Sequence, residues 1–374
     1  MALYLDLHAL QSVPAANLNR DDLGSPKSVV YGSVPRLRVS SQAWKRPVRH
    51  GVEKELGERA ARSRLVPSKV AAALHEAGWP DDLATFASEQ VAASAGTKGL
   101  GLDKEGRTTV LLFLPTAAID ELAQLCGEHR AVLEEKQSAS KPGQLLPTAE
   151  VEAILKRRTV SISLLGRMLA ELPGANVDGA VHMAHPFTTH ASEPQRDYFT
   201  AVDDWQEAAD TGSGHLNTAE FGAGVFYRYA CVNLEDLVRN LDGDVKTARE
   251  ALTVFADEFV SALPQAKRTS TAPHTLPDLL YTAVRKRRPL SLAAAFETPV
   301  TADDAGGFSG PSRRALNAYA GAINRLTGSR NRPFHGHATV TIAPLEHLGE
   351  NKDSFDDLIE AAAKAALPDA GDAR

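Results

Sequence analysis

The stretch from Arg36 to Arg49 reads R-L-R-V-S-S-Q-A-W-K-R-P-V-R. Arg36, Arg38 and Ser40 alternate with Leu37 and Val39, which predicts a strand with one polar and one apolar face. Ser40 or Ser41 is then the expected N-cap of a helix. Gln42, Lys45 and Arg49 follow at helical spacing and share one face of it. A strand edge with arginines, a helix N-terminus with free N–H groups and a basic helix face together suit a run of phosphates. The competing reading is a solvated basic face packed on an acidic neighbour. Pro47 lies inside the helix, where it removes one hydrogen bond and is expected to kink the chain before Arg49.

Around this stretch the charge is uneven. The chain of 374 residues carries a net charge of −6, yet Arg20 to Arg49 holds seven Lys/Arg against Asp21 and Asp22. A basic track on an acidic body fits a protein that holds one defined nucleic acid, not an indiscriminate binder. The composition, 43% hydrophobic and 24% charged, is that of a globular protein of one to three domains. Cys126 and Cys231 sit in apolar patterns and read as buried free thiols. There is no signal-peptide pattern and no apolar run long enough to span a bilayer, so the expected location is cytoplasmic, with no membrane partner.

Along the chain, Leu3, Leu5 and Leu7 alternate with Tyr4, Asp6 and His8, the pattern of a half-buried strand. Ser12 to Pro35 has no sustained period and reads as a long loop carrying Arg20 and Lys27. About Gly57 to Pro173 is mostly helical, with a short strand at Arg107 to Leu114 and a linker candidate at Gln137 to Thr148. Strands are expected at Gly179 to His190, Val225 to Val232, Pro289 to Phe296 and His337 to Ile342. Ala191 to Gly222 reads as a projecting loop or hairpin. Leu252, Phe255, Phe259 and Leu263 predict a helix ending at Pro264, and Asp353 to Leu367 a terminal helix. The order of strand, helix, large insertion, strand, hairpin, strand, helix, strand is α+β and compatible with a split βαβ core.

Four blocks, in this order, resemble the CasC family, the repeated backbone subunit of the type I-E CRISPR complex Cascade. The first holds L-N-R-D-D (Leu18–Asp22), P-K (Pro26, Lys27), Y-G (Tyr31, Gly32) and V-S-S-Q-A-W-K-R (Val39–Arg46). The second is G-R-M at Gly166–Met168. The third combines H-P-F-T-T-H from His185, D-Y-F-T-A-V-D-D-W-Q from Asp197 and G-H-L-N-T-A-E-F-G-A-G-V-F-Y-R-Y from Gly214. The fourth joins R-K-R-R-P-L-S-L-A-A-A-F-E, Arg285–Glu297, to G-G-F at Gly306–Phe308. Ser33 departs from the family, which often has a second glycine there.

The resemblance implies an RRM/ferredoxin-like palm with a helical fingers insertion and a β-hairpin thumb. The implied boundaries are 1–56 for the first part of the palm, 57–177 for the fingers and 178–190 for a palm strand. They continue with 191–222 for the thumb, 223–350 for the remaining palm and web, and 351–374 for the C-terminal helix and tail. The implied function is a non-catalytic subunit that oligomerises along a CRISPR RNA and supports its pairing with target DNA. Partners are then other copies of the chain and other Cascade subunits. Guide contacts are implied at Arg20, Lys27, Arg38, Ser40, Gln42, Lys45, Arg46, Arg49, Arg167 and Met168. Nucleotide displacement by the thumb is implied at Tyr198, Phe199, Thr200 and Leu216.

Each motif also has a plainer reading. Met168 alone would be core, and Tyr198 and Phe199 would be core at the hairpin base. The run Arg285 to Arg288 could touch nucleic acid, face solvent or contact a subunit. His182 with His185 and His335 with His337 lack a Cys or carboxylate at ligand spacing, so no metal, cofactor or catalytic residue is expected. Asp21 and Asp22 are expected to shape the loop or pair with Arg20. The alternative functions are a metal-dependent ribonuclease using Asp21 or Asp22 and an RNA-independent scaffold.

Overall fold

The first strand, β1 (Leu3–Ala16), runs between two antiparallel neighbours that lie more than two hundred residues away in sequence. The computed structural model describes residues 3–169, 171–201 and 215–368. The chain divides into two compact units, one of 1–51, 181–238 and 244–374, the other of 52–180 with 239–243.

In the first unit, β1 is followed by a hairpin of β2 (Ser28–Tyr31) and β3 (Val34–Leu37), then by α1 (Ser41–Glu55). After the second unit come β4 (Val181–Met183), β5 (Phe187–Thr188), β6 (Gln195–Ala201) and the long β7 (His215–Asn233). Then follow α2 (Val245–Ser261), β8 (Leu279–Lys286), α3 (Ser309–Thr327), β9 (Phe334–Thr339), β10 (Glu350–Asn351) and α4 (Phe355–Ala366). The main sheet has the order β10-β9-β8-β1-β7-β4, with β5 and β6 also on β7. Its pairs are antiparallel except β9 with β10.

The alternation in Met1–Gln11 predicted a strand with one wet face. Instead every residue from Leu5 to Gln11 is buried. The second face is covered by Leu292, Phe296, Leu316 and Ala320, which come from the Ala293–Phe296 turn region and α3. Asp6 and His8 are therefore inside; the Asp6 carboxylate is fully engaged, whereas His8 is bonded through Nδ1 alone and its Nε2 has no partner among the described residues. Asp6 accepts from Arg285 Nε at 2.7 Å, Tyr229 OH at 2.9 Å and the Leu290 N–H at 3.1 Å. Burial lifts its pKa to about 6 against the pull of Arg285, so it is ionised at neutral pH. His8 Nδ1 meets Tyr227 OH at 2.9 Å. Arg285, first of the basic run, is thus a core ion pair and not a surface cation.

Two further expectations are corrected. The strand expected at Pro289–Phe296 is a short 3₁₀ turn, and the strand lies earlier, at Leu279–Lys286. The long loop expected at Ser12–Pro35 is largely ordered: β1 runs on to Ala16, and β2–β3 form a hairpin. Its two turn residues, Gly32 (φ 61°) and Ser33 (φ 66°), are both left-handed, as a twisted two-residue hairpin turn requires. At Gly32 there is no room for a side chain, since a Cβ would stand 1.7 Å from Glu297 O.

The second unit is mainly helical, with helices such as Val66–Glu76, Asp81–Ala93 and Ala118–Glu128 packed around Val70, Leu74, Ala87, Leu122 and Cys126. A two-stranded ribbon, Ala60–Ser63 with Leu112–Pro115, completes it. The linker candidate is not free: Gln144 Nε2 donates to Ala93 O and Gly96 O, each at 2.9 Å, and Leu146 is buried. No helix among the described residues is long and apolar enough to cross a membrane.

Candidate nucleic-acid interface

The basic track is built where the loop after β1 meets the start of α1. Asn19 joins them. Its Oδ1 accepts from the Ser40 N–H at 2.8 Å and the Ser40 hydroxyl at 2.7 Å. Its own carbonyl accepts from Lys27 N at 3.0 Å, and Lys27 O accepts from Arg38 N at 2.8 Å. Asn17 pins the same loop, donating to Gly24 O and Glu220 O. Asp21 closes it, its Oδ1 accepting from the N–H groups of Leu23 and Ser25 at 2.9 Å each. Asp21 shapes the loop, as expected.

On α1, Trp44 and Val48 are fully buried, one turn apart. Trp44 Nε1 donates to Ala262 O at 3.0 Å. The Arg228 guanidinium lies 4.0 Å from the Trp44 ring and 4.5 Å from the Phe259 ring. This stack fixes the rotation of the helix, so Gln42 and Arg46 are exposed and Lys45 and Arg49 half-buried on the outer side. Burial lowers the Lys45 pKa, a cost that an anion beside it would relieve. Despite Pro47, α1 continues as one helix to Glu55.

At the N-terminus of α1, the Ser41 N–H donates to His185 Nδ1 at 2.7 Å. An imidazole that accepts there must be neutral and carry its proton on Nε2. Partial burial, then Arg38 and Lys27, push its pKa down, consistent with that state. Next to it, Val39 N donates to Pro186 O at 2.9 Å. Arg20 and Arg46 line one open cleft of about 800 Å³ with Asn19, Asp22, His50 and Gln265.

Two of the expected contacts turn out differently. Ser40 stands at the N-cap position of α1, its carbonyl accepting from the Ala43 and Trp44 N–H groups, but its hydroxyl is turned to Asn19. The Ser40 hydroxyl proton and N–H are both taken by Asn19, so Ser40 positions the loop and has no hydrogen left for a phosphate. Arg167 is 4% exposed, and four of its five N–H donors have partners. Nε reaches Ala175 O, Nη1 reaches Phe113 O and Arg157 O, and Nη2 reaches Lys156 O, at 2.7 to 3.1 Å. It organises its own loop, while Met168 beside it is 84% exposed and outside the core. Arg36, read as a strand-edge cation, is likewise fully buried and donates to Tyr31 O, Thr188 O and Phe296 O.

The hairpin of β6 and β7 pairs Tyr198 with Thr218, Phe199 with Asn217 and Thr200 with Leu216. Tyr198 is 60% and Phe199 44% exposed, which removes the core reading for both. The side-chain roles expected of Thr200 and Leu216 lie outside the described residues, as do residues 202–214 of the stretch expected to project. Among the described residues no group of three His, Cys, Asp or Glu could hold a metal. Sequence reasoning missed Asn19 and His185 as organisers, although both stand in stretches it singled out, L-N-R-D-D and H-P-F-T-T-H.

Residues 5–361 match the family model described as CT1975-like protein. No curated protein matches the chain. Among solved structures, the chain is similar to one from a "CRISPR RNA-guided surveillance complex, pre-nicking", at 46% identity and a TM-score of 0.92, over 97% of this chain and all of that one. It is also similar to a chain of a "CRISPR RNA-guided surveillance complex", at 42% identity and a TM-score of 0.83, over the same shares.

Proposed function

The chain belongs to the CT1975-like protein family, and from that membership and the geometry of the basic cleft we propose that it is a guide-binding backbone subunit of a CRISPR surveillance complex. The finer assignment is the CasC subunit of a type I-E Cascade. The strand order β8-β1-β7-β4, with α1 after β1 and α2 after β7, supports an RRM/ferredoxin-like palm. On this reading the helical unit is the fingers and the β6–β7 hairpin the thumb.

One observation carries the proposal. Asn19 stitches the Arg20–Lys27 loop to the start of α1, so cations from two separate segments face one cleft. Arg20, Lys27, Arg38, Lys45, Arg46 and Arg49 then grip phosphates, and Gln42 adds a neutral contact. Bases are not read; sequence is read by pairing of the guide with target DNA, the division of labour known for another RNA-guided effector. Copies associate head to tail along one RNA in a heterologous, open array, and a modest grip per copy is multiplied by tethering. The subunit is non-catalytic on this reading: Asp21 is occupied by loop N–H groups. Neither the ribonuclease nor the RNA-independent scaffold gains an observation in its favour.

Salt dependence tests the phosphate grip. If each protomer neutralises ~4 phosphates, log affinity for single-stranded RNA falls by ~3 per unit of log salt for each protomer. A nearly flat dependence would refute it.

A further inference from the structure

A second cleft, of about 470 Å³, opens beside the first and shares Arg20 with it. Two cations outside the expected track, Arg196 of β6 and Lys267 of the loop after α2, line it together with Phe199 and Glu220. Arg196 pairs with Glu220 at 3.3 Å. Three cations against that one carboxylate leave the cleft positive. Phe199, partly exposed, offers an apolar surface on which a base can stack.

Lys267 itself is held in an unfavourable conformation. Its φ of 54° is left-handed, as is that of Ala272 (42°) at the other end of the short turn Arg268–Thr271. The Lys267 carbonyl fixes this turn by accepting from the N–H groups of Ser270 and Thr271, each at 3.1 Å, and from their hydroxyls at 3.0 and 2.9 Å. Glycine would take this backbone shape freely, whereas lysine does so only under constraint. The side chain is exposed, lines the cleft and makes no ion pair among the described residues. A strained residue that keeps a charged side chain pointed at a basic cleft is placed for a ligand rather than for stability.

We infer that Arg20, Arg196 and Lys267 form a nucleotide subsite, taking one RNA phosphate on the three cations and its base on Phe199. The inference rests on the guide-binding reading and extends the track past Arg20 onto the base of the hairpin.

The test uses the full-length chain and a labelled single-stranded RNA of one repeat and one spacer, titrated at several salt concentrations. Lys267→Gly removes both the charge and the strain. Its Tm should rise, while log affinity against log salt becomes shallower by ~0.7 per protomer. At ~0.1 M salt that is about fivefold weaker binding, taking the contact as lost at ~1 M. Lys267→Arg, which keeps charge and strain, should bind like the unaltered chain. If Lys267→Gly binds unchanged while Lys45→Glu loses the RNA, the subsite is wrong and the guide-binding reading stands. If neither variant changes binding, the guide-binding reading fails and the subsite with it. A lower Tm for Lys267→Gly overturns the strain argument and makes Lys267 structural.

Discussion

Replacing Asn19 separates the two roles that meet at the loop–helix junction. In Asn19→Ala the Ser40 N–H and hydroxyl both lose their acceptor, two bonds of 2.8 and 2.7 Å. At about 1 kcal/mol for each bond, the loss of stability is about 2 kcal/mol. Asn19→Asp is close to isosteric and keeps an oxygen at the accepting position. Its stability should therefore stay within ~0.5 kcal/mol of the unaltered chain. The new carboxylate, however, stands in the cleft with Arg20 and Arg46. It cancels roughly one cation, so the salt dependence of RNA binding should become shallower by ~0.7 per protomer. Urea melts measure the first effect, and fluorescence anisotropy over a salt series the second. If Asn19→Asp is as unstable as Asn19→Ala, the acceptor argument is wrong. If it is stable and binds RNA normally, the junction does not lie on the phosphate path.

Other consequences follow from the same packing. Gly32→Ala adds a Cβ where Glu297 O already sits, at a φ of 61°; the backbone term alone costs ~1 kcal/mol or more, and thermal melts should show a clear loss. Arg167→Gln leaves buried carbonyls of Phe113 and Ala175 without a donor and should cost ~2–4 kcal/mol, whereas Met168→Ala should leave the melt unchanged. The salt dependence of RNA binding should be the same in Arg167→Gln as in the unaltered chain, because the buried Arg167 guanidinium is already engaged by backbone carbonyls. Acid should destabilise the protein. Burial holds His8 well below its ordinary pKa, and burial with Arg332 and Arg285 takes His335 down to about 4. Between pH ~6.5 and ~4 the unfolded chain protonates these histidines and the folded chain does not, so stability falls as pH falls. Asp6, raised to about 6, and Asp278, also raised by burial, work in the opposite direction, but burial lowers His185, His190 and His337 as well, so the histidines prevail. A Tm at pH 5 equal to or above that at pH 7 would contradict this.

The sequence could be read furthest where a local pattern decides the structure. Alternation marked β1, helical spacing marked α2, and the spacing of Gln42, Lys45 and Arg49 marked the outer face of α1. Reading failed where a distant segment decides. The second face of β1 is buried by residues from 292 to 320, which no local period in Leu3–Gln11 can register. The strand Leu279–Lys286 is buried almost throughout, so it lacks the alternation that would have shown it. Arginine was the hardest residue to place. Arg36 and Arg167 are buried cations whose partners are backbone carbonyls, and a carbonyl leaves no trace in sequence. Arg285 pairs with Asp6, but the partners are 279 positions apart. Lys45 and Arg46 were legible because a buried Trp44 and Val48 fix the opposite face of the same helix.

The most direct measurement is a denaturing gel of the RNA that co-purifies with this chain, expressed with a CRISPR array and its partner subunits. A guide-bound backbone subunit predicts one discrete band of repeat-plus-spacer length, lost on Lys45→Glu. Absent RNA, or a heterogeneous smear, would contradict it.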